Sequence, residues 1–477
     1  MQSSTRMEQQ KGKEYQQLSF LETMEEEPLR HDQEWDSATE PRPDKEQQIR
    51  AAQRRRRAIT QNLMQVVCTR GNLNKAYKHV EANNGAAGTD GMTIKDMLEW
   101  LKTNKEALIT SLLDGSYQPQ PVKGVKIPKP GGGERQLGIP TVVDRLVQQA
   151  ILQVLEPLLD PTFSESSFGF RVKRSAHGAL KQAQQYVAEG RSIVVDIDLE
   201  KFFDRVNHDM VLARLARHVG DKRLLRIVRR FLEAGIMENG IVIEREEGTP
   251  QGGPLSPLLA NLMLDDLDKE LERRGHRFVR YADDCNIYVR TQAAGERVMN
   301  SISQYIEGRL KLKVNREKSA VAPVEKRKFL GHRLLRGGRL TISPKALEGA
   351  KTRIRAITRR NRGVAFEQVI EELNKFTTGW VTYFRYAEAK SKLRNLDSWI
   401  NEKVRCYRLK QCKRAKGIAT FLRAQGIPEK QAWMLAGSGK GWWRKTKTAQ
   451  VKRAMKTQWL RDHGLKSLEA RYIALNQ

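Results

Sequence analysis

Cysteine is scarce in this chain: Cys68, Cys285, Cys406 and Cys412 are all there are in 477 residues. Cys406 and Cys412 stand too far apart for the close Cys-x₂₋₄-Cys pair of a zinc site. Free thiols in a reducing cytoplasm are therefore expected. No apolar run is long enough to cross a bilayer, and no amphipathic Lys-Leu anchor suggests a membrane partner. The polar N-terminus carries no secretory signal. Acid is in deficit as well. Asp and Glu number 56 against 86 Lys and Arg, a formal net charge of +30. That imbalance points to a polyanion partner. It is uneven. Residues 321–477 hold 37 Lys/Arg against 11 Asp/Glu. Residues 1–50 are mildly acidic, rich in Gln and Glu and poor in large apolars, the composition of a disordered extension.

The few acids are placed tellingly. Asp283-Asp284 interrupts Arg277-Phe-Val-Arg-Tyr-Ala-Asp-Asp-Cys-Asn-Ile-Tyr-Val-Arg290, where apolar and polar residues alternate on both sides. A period of two predicts strands, and Asp-Asp at the break predicts the turn between them. Alone, the pair would be an ordinary solvated turn. Upstream, Ser192-Ile-Val-Val-Asp-Ile-Asp-Leu-Glu-Lys-Phe-Phe-Asp204 reads as a buried strand with Asp196 and Asp198 on one face. Acids on a core strand are costly unless a cation receives them. Strand and hairpin together supply three carboxylates, the donor set that clamps two divalent ions for an in-line phosphoryl displacement. Mg²⁺ suits such a site, being hard and content to share its shell with substrate phosphates.

Two loops agree with that chemistry. Gly248-Thr-Pro-Gln-Gly-Gly-Pro-Leu-Ser-Pro257 is dense in Gly and Pro, which lets backbone approach a base or sugar closely, and Gln251 offers donors and an acceptor there. Lys126-Ile-Pro-Lys-Pro-Gly-Gly-Gly-Glu-Arg135 sets Lys129 and Arg135 on either side of a triple-glycine turn, a geometry suited to gripping a triphosphate.

In their order along the chain these blocks resemble the reverse transcriptases encoded by bacterial group II introns. Gly88-Thr-Asp-Gly91, Phe168-Gly-Phe-Arg171, Leu310-Lys-Leu-Lys-Val-Asn315 and Phe329-Leu-Gly-His332 complete the set. The resemblance is close from about Gly88 to Leu335 and implies an α+β right-hand polymerase with an antiparallel palm sheet. It also implies a helical thumb/maturase domain and a small basic DNA-binding domain after the palm. The implied segments are a 1–50 extension, 51–190 N-terminal helices and fingers, a 191–335 palm, a 336–425 thumb and a 426–477 DNA-binding region. The implied catalytic and metal-binding acids are Asp198, Asp283 and Asp284, holding two Mg²⁺. Asp196 competes for the role, but the aromatic five residues on fits Asp198, since it falls on Phe203, the implied sugar gate. Lys129, Arg135, Gln251 and Lys318 are the other implied dNTP contacts, and Phe329, Leu330, Gly331 and His332 the implied primer grip. Arg54 and Arg55 in the first helical segment, Arg385, Lys390, Lys392 and Arg394 in the thumb, and Arg444 and Lys445 near Trp442 are candidate contacts to RNA or DNA.

The implied function is RNA-directed DNA synthesis coupled to binding and splicing of a group II intron RNA, with a DNA target, a primer and dNTPs as further partners. A cytoplasmic bacterial location is expected, and the oligomeric state is left open. Many family members carry a C-terminal endonuclease with paired cysteines and histidines. This sequence shows neither, so second-strand cleavage is not expected and the primer source stays open. Two other roles also remain: a domesticated reverse transcriptase in DNA repair or phage defence, and a splicing cofactor with a vestigial polymerase site.

Overall fold

The computed structural model describes residues 60–128, 134–238, 240–243, 247–249 and 252–477. The described strands are, in chain order, Val122–Pro128 (β1), Glu134–Ile139 (β2), Ile193–Ile197 (β3), Ile236–Glu238 (β4), Ile241–Ile243 (β5), Arg277–Tyr281 (β6), Asp284–Val289 (β7), Ala320–Pro323 (β8), His332–Leu334 (β9) and Leu340–Ile342 (β10). They fall into two compact units. The first takes the chain up to Lys173, Leu199–Glu270 and Tyr305–Val314; the second takes Arg174–Asp198, Leu271–Gln304 and Asn315–Gln477.

In the first unit, β1 and β2 form an antiparallel hairpin, extended by parallel pairing of β1 with β4 and antiparallel pairing of β4 with β5. The helix Val142–Leu159 follows β2 and packs against the helix Arg70–Asn83. Thr141 caps it by accepting from the Asp144 amide at 3.1 Å, and Leu146, Val147, Ile151 and Leu155 bury its apolar stripe. The Gly/Pro loop ends in the helix Ser256–Arg273, whose leucines at helical spacing are buried as the pattern predicts.

The second unit is built on the four-stranded antiparallel sheet β6-β7-β3-β8. Val194, Val195, Ile197, Phe278, Val279, Ile287 and Tyr288 make it a core sheet, covered in part by the helix Ala176–Ala188. Gly295 lets the helix that starts at Gln292 lie close, because a Cβ there would meet Val321, Ile193 and Val289. A two-stranded ribbon, β9-β10, follows, and then the chain is helical, as expected from Pro344 onward. Ser343 caps the helix Pro344–Ile357 by accepting from the Ala346 amide at 3.2 Å. The helices Phe366–Tyr383 and Lys390–Gln411 bury Leu373, Val381, Leu396, Ile400 and Val404 in one core. Shorter helices close a second core around Leu422, Val451 and Met455. The mixed sheet-and-helix body followed by a helical region is the fold the sequence implied.

Candidate metal centre and nucleic-acid interface

Antiparallel pairing of β3 with β7 sets Asp196 opposite Asn286 and Ile197 opposite Cys285, so β3 ends level with the β6–β7 turn. Asp198 lies one residue past the strand, on the face Asp196 shares. The turn falls one residue earlier than the Asp-Asp break suggested. Tyr281 pairs with Asp284, leaving Ala282 and Asp283 as the whole loop, and Ala282 adopts φ 59°. Asp284 therefore opens β7 instead of sitting in the turn. Arg280, fully buried on β6, supports the loop by donating to the Ala282 carbonyl at 2.8 Å.

Asp198 is clamped through its backbone by a segment after the first β3 contact. Its amide donates to Ser319 Oγ at 3.0 Å, and its carbonyl accepts from the Asn315 amide at 2.8 Å. Lys318, in the same Asn315–Ser319 turn, brings its ammonium to 3.5 Å from Asp198 Oδ2. That oxygen is buried and accepts no hydrogen bond. Asp196 is buried and accepts from Arg327 Nε at 2.8 Å and Nη2 at 2.5 Å. Burial raises the Asp196 carboxyl above its ordinary range, opposed by Arg327 and reinforced by Asp198. At Asp284, loss of water and the charges of Asp196, Asp283 and Asp198 push the carboxyl up to about 7. Solvent still reaches the Asp284 side chain, so repulsion among the acids is the firmer of the two causes.

These observations suit a divalent cation: four acids share one field, and one buried oxygen has no donor. Among the described residues, no three His, Cys, Asp or Glu already form a ligand group. Lys318 and Arg327 take part of the acidic field themselves, through Asp198 and Asp196.

The other implied site residues are distributed as follows. Arg135 is exposed on β2 opposite Ile127, in the first unit. Phe203, also in the first unit, is half-buried in the short turn Phe202–Asp204, and its carbonyl accepts from the Thr249 amide at 2.7 Å. The start of the Gly/Pro loop is thus fastened to the aromatic turn, and Gly248, at φ 91°, leaves no room for a Cβ beside Asp204. Lys129, Gln251, Arg54 and Arg55 lie outside the described residues.

In the second unit, Phe329 and His332 exchange both backbone hydrogen bonds at 2.9 Å, closing a two-residue turn of Leu330 and Gly331. Tyr383 Oη and His332 Nδ1 both meet the Leu330 carbonyl at 2.9 Å. Burial pushes the His332 imidazole down to about 4, against the Leu330 hydrogen bond and helped by the charge of His177.

Several basic candidates have internal work. Lys392 donates to Thr341 Oγ1 at 2.7 Å and the Ile342 carbonyl at 3.2 Å. Arg394 forms a fork with Glu469, its shortest contact 2.7 Å. Arg385 lies over the Tyr386 ring. Lys445 is buried and donates to the Ala436 carbonyl at 3.0 Å, whereas Arg444 and Lys390 are exposed. Around Arg444, Lys403 sits over both Trp399 and Trp443, and Lys410 over Trp442. Sequence reasoning missed Arg327, Ser319 and Arg280. Only Arg280 left a trace, a charged residue inside an apolar strand.

A profile of the reverse transcriptase (RNA-dependent DNA polymerase) family matches residues 127–334, and one of the group II intron maturase-specific domain matches residues 347–425. Protein YkfC of Escherichia coli (strain K12) is 32% identical over 318 residues, covering 58% of this chain and 83% of YkfC. Group II intron-encoded protein LtrA of Lactococcus lactis subsp. cremoris is 38% identical over 196 residues, 41% of this chain and 32% of LtrA. The chain thus spans most of the first relative and about a third of the second. A solved structure, the partial Cas6-RT-Cas1--Cas2 complex, covers 52% of this chain and 43% of its own at 28% identity, with a TM-score of 0.35. Among the described residues, no helix is long and apolar enough to cross a membrane.

Proposed function

Because this chain belongs to the group II intron-encoded reverse transcriptases and maturases, we propose that it copies RNA into DNA at a centre held by Asp198, Asp283 and Asp284. Reverse transcriptases work with divalent metal, and the two matched domains imply RNA and other nucleic acids as partners. The finer reading is two Mg²⁺ ions, an intron RNA as template and splicing client, and dNTPs added to a DNA primer at the target site. The bound metal would stabilise charge on the attacking and leaving oxygens.

The residues of the chain supply the rest. The acids gather and orient the cation. Lys318, beside Asp198, is set to hold or donate a proton at the departing pyrophosphate. Lys129 and Arg135 hold the triphosphate, Gln251 lies beside the nucleotide, and Phe203 excludes a 2′-hydroxyl. Phe329–His332 grips the primer end. The segment roles are fingers in 51–190, palm in 191–335, thumb in 336–425 and DNA binding in 426–477, with RNA backbone contacts from exposed cations such as Lys390 and Arg444. A cytoplasmic bacterial setting fits these partners.

The observation that carries this reading is the convergence of β3 and the β6–β7 hairpin on one acidic field, with a buried Asp198 oxygen that accepts no hydrogen bond and has the Lys318 ammonium beside it. Primer extension on poly(rA)/oligo(dT) with Mg²⁺ tests it: the wild type makes cDNA and Asp283→Ala does not. A splicing assay on the surrounding intron completes the test, with both proteins expected to promote splicing. Splicing without cDNA from the wild type would make the chain a cofactor with a vestigial site. cDNA without splicing would point to a domesticated polymerase.

A further inference from the structure

We propose that Arg327 is a positioning residue for the acidic centre, with Asp196 as its anchor and not a metal ligand; this rests on the reading above. Arg327 follows the short helical turn Val324–Lys326 beyond β8 and stands 131 residues from Asp196 in sequence. Its Nε and Nη2 converge on a single oxygen, Asp196 Oδ2, at 2.8 and 2.5 Å. Nη2 also donates to the Lys318 carbonyl at 2.6 Å. One guanidinium thereby joins the second acid of β3 to the turn that clamps Asp198.

The need for this arrangement follows from burial. Asp196 is 8% exposed, flanked by Asn286 on β7 and Ala320 on β8. A carboxyl group in that position needs hydrogen-bond donors from within the protein, and removing Arg327 would strip its Oδ2 of both. Asp196 also shares a face with Asp198 two residues away, where an unshielded carboxylate would compete for any metal brought to the centre. Arg327 answers both problems: its planar fork satisfies the oxygen and leaves Asp198 as the carboxylate that β3 offers. Through the Lys318 carbonyl it also fixes the Asn315–Ser319 turn. From that turn come the Asn315 amide that donates to the Asp198 carbonyl, the Ser319 Oγ that accepts from the Asp198 amide, and the Lys318 ammonium beside Asp198 Oδ2. Arg327 touches none of the three implied ligands directly and sets the position of one of them through its neighbours.

The test compares Arg327→Met, Asp196→Asn, the double variant and Asp198→Asn in the full chain. Free Mn²⁺ is followed by electron paramagnetic resonance to report metal binding, alongside primer extension as a function of Mg²⁺ and a thermal melt. Arg327→Met should lose roughly 10–100-fold in synthesis rate and shift both the Mn²⁺ curve and the Mg²⁺ midpoint. Asp196→Asn should keep Mn²⁺ binding and lose less than Arg327→Met. The double variant should recover most of what Arg327→Met lost, because no unpaired carboxylate remains. Arg327→Lys, which keeps charge without the fork, should fall between wild type and Arg327→Met and guards against a Met variant that does not fold. Loss of Mn²⁺ binding in Asp196→Asn, equal to that in Asp198→Asn, would make Asp196 a ligand and overturn the proposal. A lower melting temperature in Arg327→Met with unmoved Mn²⁺ and Mg²⁺ curves, or a double variant no better than Arg327→Met, would also overturn it. Asp198→Asn separates the layers: if it binds Mn²⁺ and synthesises like wild type, the metal-centre reading itself fails.

Discussion

The acid-bearing sheet and the basic helices after Pro344 belong to one compact unit and handle charge in opposite ways. In the sheet, a few charged groups make up the proposed centre, and nearly every one is held by named partners: Asp198 by Ser319 and Asn315, Asp196 by Arg327, the turn by Arg280. In the helices, cations are many, and those that matter structurally look the same in sequence as those free to meet a polyanion. Lys445 and Arg444 are neighbours, yet one is buried on a carbonyl and the other faces solvent. A charge in the sheet is informative because burial makes it expensive; a charge on a basic helix becomes informative only once its partners are known.

The sharpest test of that contrast is on the sheet. Asp284→Ala should reduce primer extension to background while the thermal melt keeps its cooperative shape; retained synthesis would remove the sheet from the chemistry. Next comes His332, whose folded pKa of about 4 lies below the unfolded value near 6.5. Its contribution is present above pH 6.5 and is lost as pH falls toward 4, worth about 3 kcal/mol. Urea titrations across that range should show the slope in wild type and flatten it in His332→Gln. On the helices, Lys445→Ala should cost about 1–3 kcal/mol by stranding the Ala436 carbonyl, read by the same titrations. The smallest effect is expected at Arg444→Ala: unchanged stability, with the log–log salt slope of RNA binding reduced by about one contact. If Lys445 and Arg444 behaved alike, the distinction between internal and outward cations would collapse.

Much of this was legible in the primary structure, and the rest was hidden for identifiable reasons. Alternation predicted β6 and β7, and an apolar, β-branched run predicted β3; consecutive buried residues show that these strands are covered on both faces. The apolar stripe gave the helices at Val142–Leu159 and Ser256–Arg273. The hairpin was placed one residue off, since Asp-Asp is ordinary turn chemistry whereas an alanine at positive φ is not. Asp196 and Asp198 could not be separated by periodicity, as both occupy the same face. The resemblance favoured Asp198 through the spacing to Phe203, whereas the Arg327 fork on Asp196, remote in the chain, follows no pattern. Lys392 and Lys445 read as phosphate contacts because sequence shows their charge and not the carbonyls they donate to.

The turn between Phe329 and His332 has a mechanical consequence. Leu330 at φ 49° and Gly331 at φ 77° give it two successive left-handed residues, and a leucine in that conformation is disfavoured by roughly 1–2 kcal/mol. Its shape is held from outside, by the Tyr383 hydroxyl at the end of the helix Phe366–Tyr383 and by the Phe384 ring, 3.2 Å from where a Gly331 side chain would begin. The Tyr383 hydroxyl and the Phe384 ring therefore tie the shape of this loop to the end of that helix.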